Sequence, residues 1–151
     1  MTKSGTSKKI NNPKRVLLIE DDHGMVHMLE KWLKMASRTM IKAINGTEGL
    51  KAAKKENPDL ILLDLMLPDI GGTEVAKRLL SDEKTKEIPI IFITAYMGVE
   101  NDKGKESIEV DGRKFPVFAK PLHRAKLLSE VRRSINRRIN NNPNPYIQSS
   151  E

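Results

Sequence analysis

Pro58-Asp59-Leu60-Ile61-Leu62-Leu63-Asp64-Leu65-Met66-Leu67-Pro68 decides the fold. Leu60 to Leu63 are consecutive aliphatic residues in a stretch bounded on both sides by proline, which is the length and character of a strand buried on both faces of a parallel sheet. A helix of this composition would need roughly ten or more residues and no closing proline. The run ends on Asp64, so a carboxylate stands at the carboxyl edge of a strand. In an open parallel α/β sheet that edge is where ligands bind, in the crevice where strand order reverses.

Working outward, a second run of the same kind, Val16-Leu17-Leu18-Ile19, leads straight into Glu20, Asp21 and Asp22. Met25, Met28, Leu29, Trp32 and Leu33 then recur at helical steps, with Asp22 placed to cap that helix. Met40 to Ile44 reads as a strand, Asn45-Gly46 as the turn out of it and Thr47 as the cap of the next helix, which Asn57-Pro58 stops. Beyond the organising strand, Asp69-Ile70-Gly71-Gly72 leads to a helix over Thr73 to Leu80, and Pro89 opens the strand Ile90-Ile91-Phe92-Ile93, which ends at Thr94. From Tyr96 to Lys114 the helical stripe fails; Ile108 and Val110 alternate with acids before Asp111-Gly112, a hairpin signal, with Phe115 beyond. Val117-Phe118-Ala119 is a further short strand, followed by Lys120-Pro121 and a last helix with Leu127, Leu128, Val131 and Ile135 inward. Strand and helix therefore alternate, which argues an α/β fold with helices on both faces of a mostly parallel sheet.

Composition sets the outer bounds. A chain of 151 residues with 38% hydrophobic content suits one domain. Lys and Arg number 27 against 20 Asp and Glu, a net charge of +7, which bears on solubility and association rather than on activity. With no cysteine, neither a disulfide framework nor a thiolate metal site is available. No segment approaches the length of a membrane span and no signal-peptide core follows the basic start, so a cytoplasmic protein without membrane insertion is expected.

If the strands ending at Glu20-Asp21-Asp22 and at Asp64 are neighbours, their carboxyl groups converge. Like charges that close resist joint ionisation, so the arrangement calls for a cation. Mg²⁺ suits it, because that ion takes one or two carboxylates, keeps several waters and completes its shell with phosphate oxygen. Two other strand ends supply the Thr94 hydroxyl and the Lys120 ammonium. Together these groups make a place to hold a phosphoryl group, with Asp64 as nucleophile.

The acids after Val16-Leu17-Leu18-Ile19, Asp64 with Leu67-Pro68 and Gly72 behind it, Ile93-Thr94-Ala95 and Lys120-Pro121 occur in that order. From about Lys14 to Ile139 the chain resembles the receiver domain of two-component response regulators. The resemblance implies a flavodoxin-like (βα)5 doubly wound fold with a five-stranded parallel sheet in the order 2-1-3-4-5 and an atypical fourth-helix region. It implies that Asp64 accepts a phosphoryl group from the phosphohistidine of a sensor histidine kinase or phosphotransfer protein. Asp21, Asp64 and the backbone carbonyl of Met66 would bind Mg²⁺, with Glu20 acting mainly through a water. Thr94 would hydrogen-bond a phosphoryl oxygen, Lys120 would pair with it, and the Lys120-Pro121 peptide would be cis. Residues 14–139 would form the receiver, flanked by a disordered basic tail over 1–13 and another tail over 140–151. With no second domain after Ile139, the expectation is a stand-alone receiver whose output is contact with another protein or onward phosphotransfer.

The chain departs from the family in places. Receivers usually carry an aromatic three residues before the lysine; here Val117 stands there, and a β-branched side chain cannot make the swing by which that aromatic reports phosphorylation. Phe118 should face the other side of the strand. The interval from Thr94 to Lys120 is longer than usual, and the fourth helix is expected to be shortened or replaced by a loop or hairpin near Ile108 to Phe115. Met66 and Tyr96, two residues past Asp64 and Thr94, are bulky and not acidic, which predicts a long-lived phosphoaspartate. Other readings are plainer or belong to other classes. His23 and His27 have a zinc-compatible spacing but no His-Glu-x-x-His motif. The basic last helix reads as a solvated face rather than a nucleic-acid surface. A haloacid-dehalogenase-type phosphatase would want a second acid where Met66 stands and its nucleophile on the first strand, and a docking pseudo-receiver would not need the intact set of acids.

Overall fold

The computed structural model describes residues 14–95 and 107–140. Six strands, β1 (Lys14–Ile19), β2 (Arg38–Ala43), β3 (Leu60–Asp64), β4 (Ile90–Thr94), β5 (Ser107–Val110) and β6 (Arg113–Ala119), lie in one sheet in the order β2-β1-β3-β4-β6-β5. Four helices are described among these residues: α1 (His23–Met35), α2 (Gly46–Glu56), α3 (Gly72–Leu80) and α4 (Arg124–Ile139).

The aliphatic runs are continuous because both sheet faces are covered. On one face Leu17, Ile19, Ile61, Leu63 and Phe92 pack with Ala53 of α2, Val75 and Leu79 of α3, and Val110 and Phe115 of the hairpin. On the other, Val16, Leu18, Leu60, Leu62, Ile91 and Ile93 pack with Leu29 and Leu33 of α1 and Leu127, Val131 and Ile135 of α4. Phe115 meets Phe92 edge-on, with ring centroids 6.0 Å apart. The alternation of β6 puts Val117 on the first face and Phe118 on the second, as the pleat requires.

The sheet corrects the expected count. Its parallel strands do run in the expected order, β2-β1-β3-β4-β6, but β5 is added as an antiparallel edge, so the sheet has six strands rather than five. Ser107 pairs with Pro116 and Val110 with Arg113, and the two-residue turn between them has Asp111 and Gly112 at φ 50° and 82°, the paired positive angles of a type I′ turn. The expected hairpin near Ile108 to Phe115 is therefore present. The remainder of the expectation for the fourth-helix region, and Tyr96, fall at 96–106, outside the described residues, as do 1–13 and 141–151; Asn140, placed by expectation in the tail over 140–151, instead caps α4, its N–H donating to the Asn136 carbonyl at 3.0 Å.

Several boundaries also move. β2 begins at Arg38 rather than Met40, because its backbone joins the β1 ladder from Lys14 onward and pairing outweighs the polar side chains. The cap of α2 is Asn45, whose side chain accepts from the Glu48 N–H, and not Thr47. α3 starts at Gly72 rather than Thr73. Asp22 does cap α1, accepting from the N–H groups of Gly24 and Met25 at 2.9 and 3.2 Å. Asn57 closes α2 in the left-handed region at φ 48°, one residue before Pro58.

Candidate functional site

Each expected side chain follows directly from a strand end. Glu20 comes one residue after β1, Asp64 and Thr94 are the last residues of β3 and β4, and Lys120 comes one residue after β6. Because β1, β3, β4 and β6 are consecutive parallel neighbours, residues distant in sequence share the carboxyl edge. The ladders continue into the site: Leu65 N–H donates to the Ile93 carbonyl at 3.0 Å and Lys120 N–H to the Thr94 carbonyl at 2.8 Å.

Glu20, Asp21 and Asp64 each offer a carboxylate oxygen, all within 4.8 Å of one another. Glu20 and Asp64 are 1% and 3% exposed, whereas Asp21 faces solvent, so the cluster is a pocket floor with one open side. Lys120 Nζ lies 3.0 Å from Glu20 Oε1 and 3.4 Å from Asp64 Oδ2. The approach to Glu20 is an ion pair by distance without the alignment of a hydrogen bond, which leaves Oε1 buried and without a properly directed donor. Glu20 Oε2 accepts from the Asp22 N–H at 3.1 Å and Asp64 Oδ1 from the Met66 N–H at 3.1 Å.

Burial raises the Glu20 carboxyl above its ordinary range; Lys120 and the Asp22 amide oppose this, and the charge of Asp64 adds to it. Burial pulls the Lys120 ammonium down, but the charges of Glu20 and Asp64 beside it together outweigh that and hold it above its ordinary value. One ammonium thus serves two buried acids, with a third acid at the rim. An incompletely satisfied oxygen in a cluster of hard oxygen donors fits a divalent cation such as Mg²⁺.

Thr94 is 1% exposed at the end of β4. Met66 places its amide against Asp64 while its side chain is 68% exposed. Val117 is buried beneath the sheet edge, and the Lys120-Pro121 peptide is cis. His23 and His27 are exposed on α1 and belong to no metal-ligating cluster among the described residues.

Gly72, part of the motif behind Asp64, has a steric role at the site, and Asp69, which no motif marks, has a hydrogen-bonding one. Gly72 N–H donates to the Leu65 carbonyl at 2.9 Å, closing the base of the loop after Asp64. A Cβ on Gly72 would stand 2.5 Å from the Asp64 carbonyl oxygen and 2.8 Å from Leu65 Cα. Asp69 takes hydrogen bonds from the Thr47 hydroxyl and the Thr47 and Gly46 amides, which hold its carboxyl well below the usual carboxylate range. A Gly so close behind Asp64 was a usable signal; for Asp69 nothing in the sequence says that its loop meets α2.

Residues 16–132 match the response regulator receiver domain family. The chain is 36% identical over 125 residues to the DNA-binding dual master transcriptional regulator RpaA of Synechocystis sp., a match covering 82% of this chain and 49% of RpaA, so it spans about half the length of that relative. It is 36% identical over 84 residues to the polar-differentiation response regulator DivK of Brucella anthropi, covering 56% of this chain and 68% of DivK. A CheY-like response regulator receiver domain protein from Methanospirillum hungatei JF-1 superposes with a TM-score of 0.71 at 23% identity, over 86% of this chain and 99% of that one, and shares the fold. With an acidic pocket at the carboxyl edge, a parallel core in the order 2-1-3-4-6, and a family match over most of its length, the chain belongs to the response regulator receiver domain family.

Proposed function

We propose that Asp64 accepts a phosphoryl group from the phosphohistidine of a sensor histidine kinase or phosphotransfer protein, in a Mg²⁺-dependent reaction. The P–N bond to imidazole breaks as the P–O bond to an Asp64 carboxylate oxygen forms, and the departing imidazole nitrogen takes up a proton. The carboxylates of Glu20, Asp21 and Asp64 and the backbone carbonyl of Met66 would hold Mg²⁺, which when bound supplies positive charge to the phosphoryl oxygens. Lys120 adds a second positive charge on the same group, and the Thr94 hydroxyl donates a hydrogen bond to it. Residues 14–139 form the receiver, and its modified form signals by binding another protein or by passing the phosphoryl group on. A cytoplasmic setting is part of the proposal; among the described residues no helix is long and apolar enough to cross a membrane.

The observation that carries this reading is the convergence of three carboxylates within 4.8 Å, with Lys120 reaching both buried ones. Acetyl phosphate with Mg²⁺ tests it. Labelling of about one equivalent, read by intact mass and lost in Asp64→Asn, is the expected result. Turnover of many equivalents would point to a phosphatase, and absence of labelling to a docking module; either would overturn the proposal.

A further inference from the structure

The loop between β3 and α3 is tied down at separate points. Gly72 closes its base on Leu65 at 2.9 Å, and the Met66 amide meets Asp64 Oδ1 at 3.1 Å. At its far end Asp69 reaches a different element: Oδ1 accepts from the Gly46 N–H at 2.7 Å, and Oδ2 from the Thr47 N–H at 2.9 Å and the Thr47 hydroxyl at 2.7 Å. A helix start leaves its first amides without partners inside the helix. The side chain of Asn45, the cap of α2, accepts from the Glu48 N–H and its carbonyl from the Gly49 N–H, so the Gly46 and Thr47 amides are left to a carboxylate from 22 or 23 residues away. That carboxylate also sits at the positive end of the helix dipole. Ile70 closes the same junction by packing, because a Cβ on Gly46 would overlap it.

Met66 and Pro68 are exposed, and among the described residues every hydrogen bond from 67–70 to another element runs through the Asp69 carboxylate. The exposed end of the loop is therefore hydrogen-bonded to another element through one side chain, with Leu67 and Ile70 packing against the core beside it. We propose that Asp69 is a positioning residue for the cation site: by clamping the loop to the N-terminus of α2 it fixes the Met66 peptide against Asp64 and raises Mg²⁺ affinity without touching the ion. This rests on reading the Glu20, Asp21 and Asp64 pocket as a Mg²⁺ site. The same clamp carries the state of the pocket outward, so the Thr47 amide registers whether the cation is bound.

The test is Mg²⁺ titration of the full chain by calorimetry, with amide exchange at Thr47 followed in parallel. Asp69→Ala is expected to weaken Mg²⁺ binding about tenfold, the low end for lost outer-shell partners. Asn45→Ala, which removes a cap from the same helix end but leaves the clamp, is expected to leave affinity unchanged. Asp69→Asn keeps the shape and one acceptor oxygen and should fall between wild type and Asp69→Ala. Mg²⁺ should slow Thr47 exchange in wild type and not in Asp69→Ala. Equal affinity in wild type and Asp69→Ala, or equal weakening in Asp69→Ala and Asn45→Ala, overturns the proposal. Should Asp69→Ala not fold, Asp69→Asn takes its place beside Asn45→Ala, and affinity equal to wild type or weakening equal to that of Asn45→Ala again overturns the proposal. A wild-type chain that binds no Mg²⁺ sinks the pocket reading itself, and the clamp with it.

Discussion

Gly72 shows how little room the site leaves at the scale of a single residue. Alanine is the better helix former by about 1 kcal/mol in a helix interior, which alone would favour Gly72→Ala. Gly72 is the first residue of α3, where that gain is smaller, and the added Cβ would stand 2.5 and 2.8 Å from backbone atoms of Asp64 and Leu65 rather than from a yielding side-chain tip. Overpacking of this kind costs about 1–3 kcal/mol, so overlap wins over propensity. Gly72→Ala is therefore expected to destabilise the fold by about 1–2 kcal/mol in urea unfolding. Its acetyl phosphate labelling should fall more than that loss explains, because the atoms that must move carry Asp64. A variant as stable as wild type and fully labelled would show that α3 can retreat without disturbing the carboxylate. Val117 makes a complementary point: it lies buried in one cluster with Phe92 and Phe115, so the position where the resemblance leads one to expect an aromatic is here part of the core.

At the scale of an element, α4 hides a charge on its inner side. Glu130 is 3% exposed, with Arg133 at 2.8 Å, Arg137 at 3.0 Å and the Ser134 hydroxyl at 3.0 Å. Burial pushes its carboxyl up, but those donors together outweigh burial and hold it below the ordinary value of 4.5. A depressed folded value means that the stabilisation is present above the unfolded value and is lost as pH falls through the folded one. Glu130→Gln should cost about 1–3 kcal/mol at pH 7, measured by denaturant unfolding, and the cost should shrink as pH drops below 4.5. A penalty equally large at pH 7 and in acid would mean that charge is not what these donors recognise. The same helix marks a limit of legibility. Its apolar stripe of Leu127, Val131 and Ile135 was readable from period alone, whereas Glu130 and Ser134 are buried beside it because partners three, four and seven positions apart satisfy them. The opening residues of β2 and β5 were obscure for a related reason, since ladder pairing rather than side-chain character puts Arg38 and Ser107 into strands, whereas the hairpin itself was announced by Ile108, Val110 and Asp111-Gly112.

At the scale of the molecule, the placement of Glu20, Asp21, Asp64, Thr94 and Lys120 at one sheet edge was legible because each lies at or just after the end of a buried run, and a parallel sheet turns such ends into neighbours. Asp69 was not, since its contact depends on how two loops are folded over that edge. The converged carboxylates tie global stability to the cation. Held together with one ammonium between the two buried acids, they repel in the folded state and separate in the unfolded chain, so an ion that binds only the folded pocket must stabilise it. At Mg²⁺ concentrations about 100 times the dissociation constant the gain is about 2.7 kcal/mol. For a domain of this size that raises the thermal midpoint by roughly 5–10 °C. Screening by added ions could imitate part of the effect, but a monovalent salt at matched ionic strength acts on all exposed charges alike and has no special claim on a pocket two of whose three acids are buried. NaCl should accordingly give a small shift in differential scanning calorimetry and Mg²⁺ a large one, and Asp21→Asn should reduce the Mg²⁺ response while leaving the NaCl response intact. Equal shifts from the two salts would mean that the acids gather at this edge without forming a cation site.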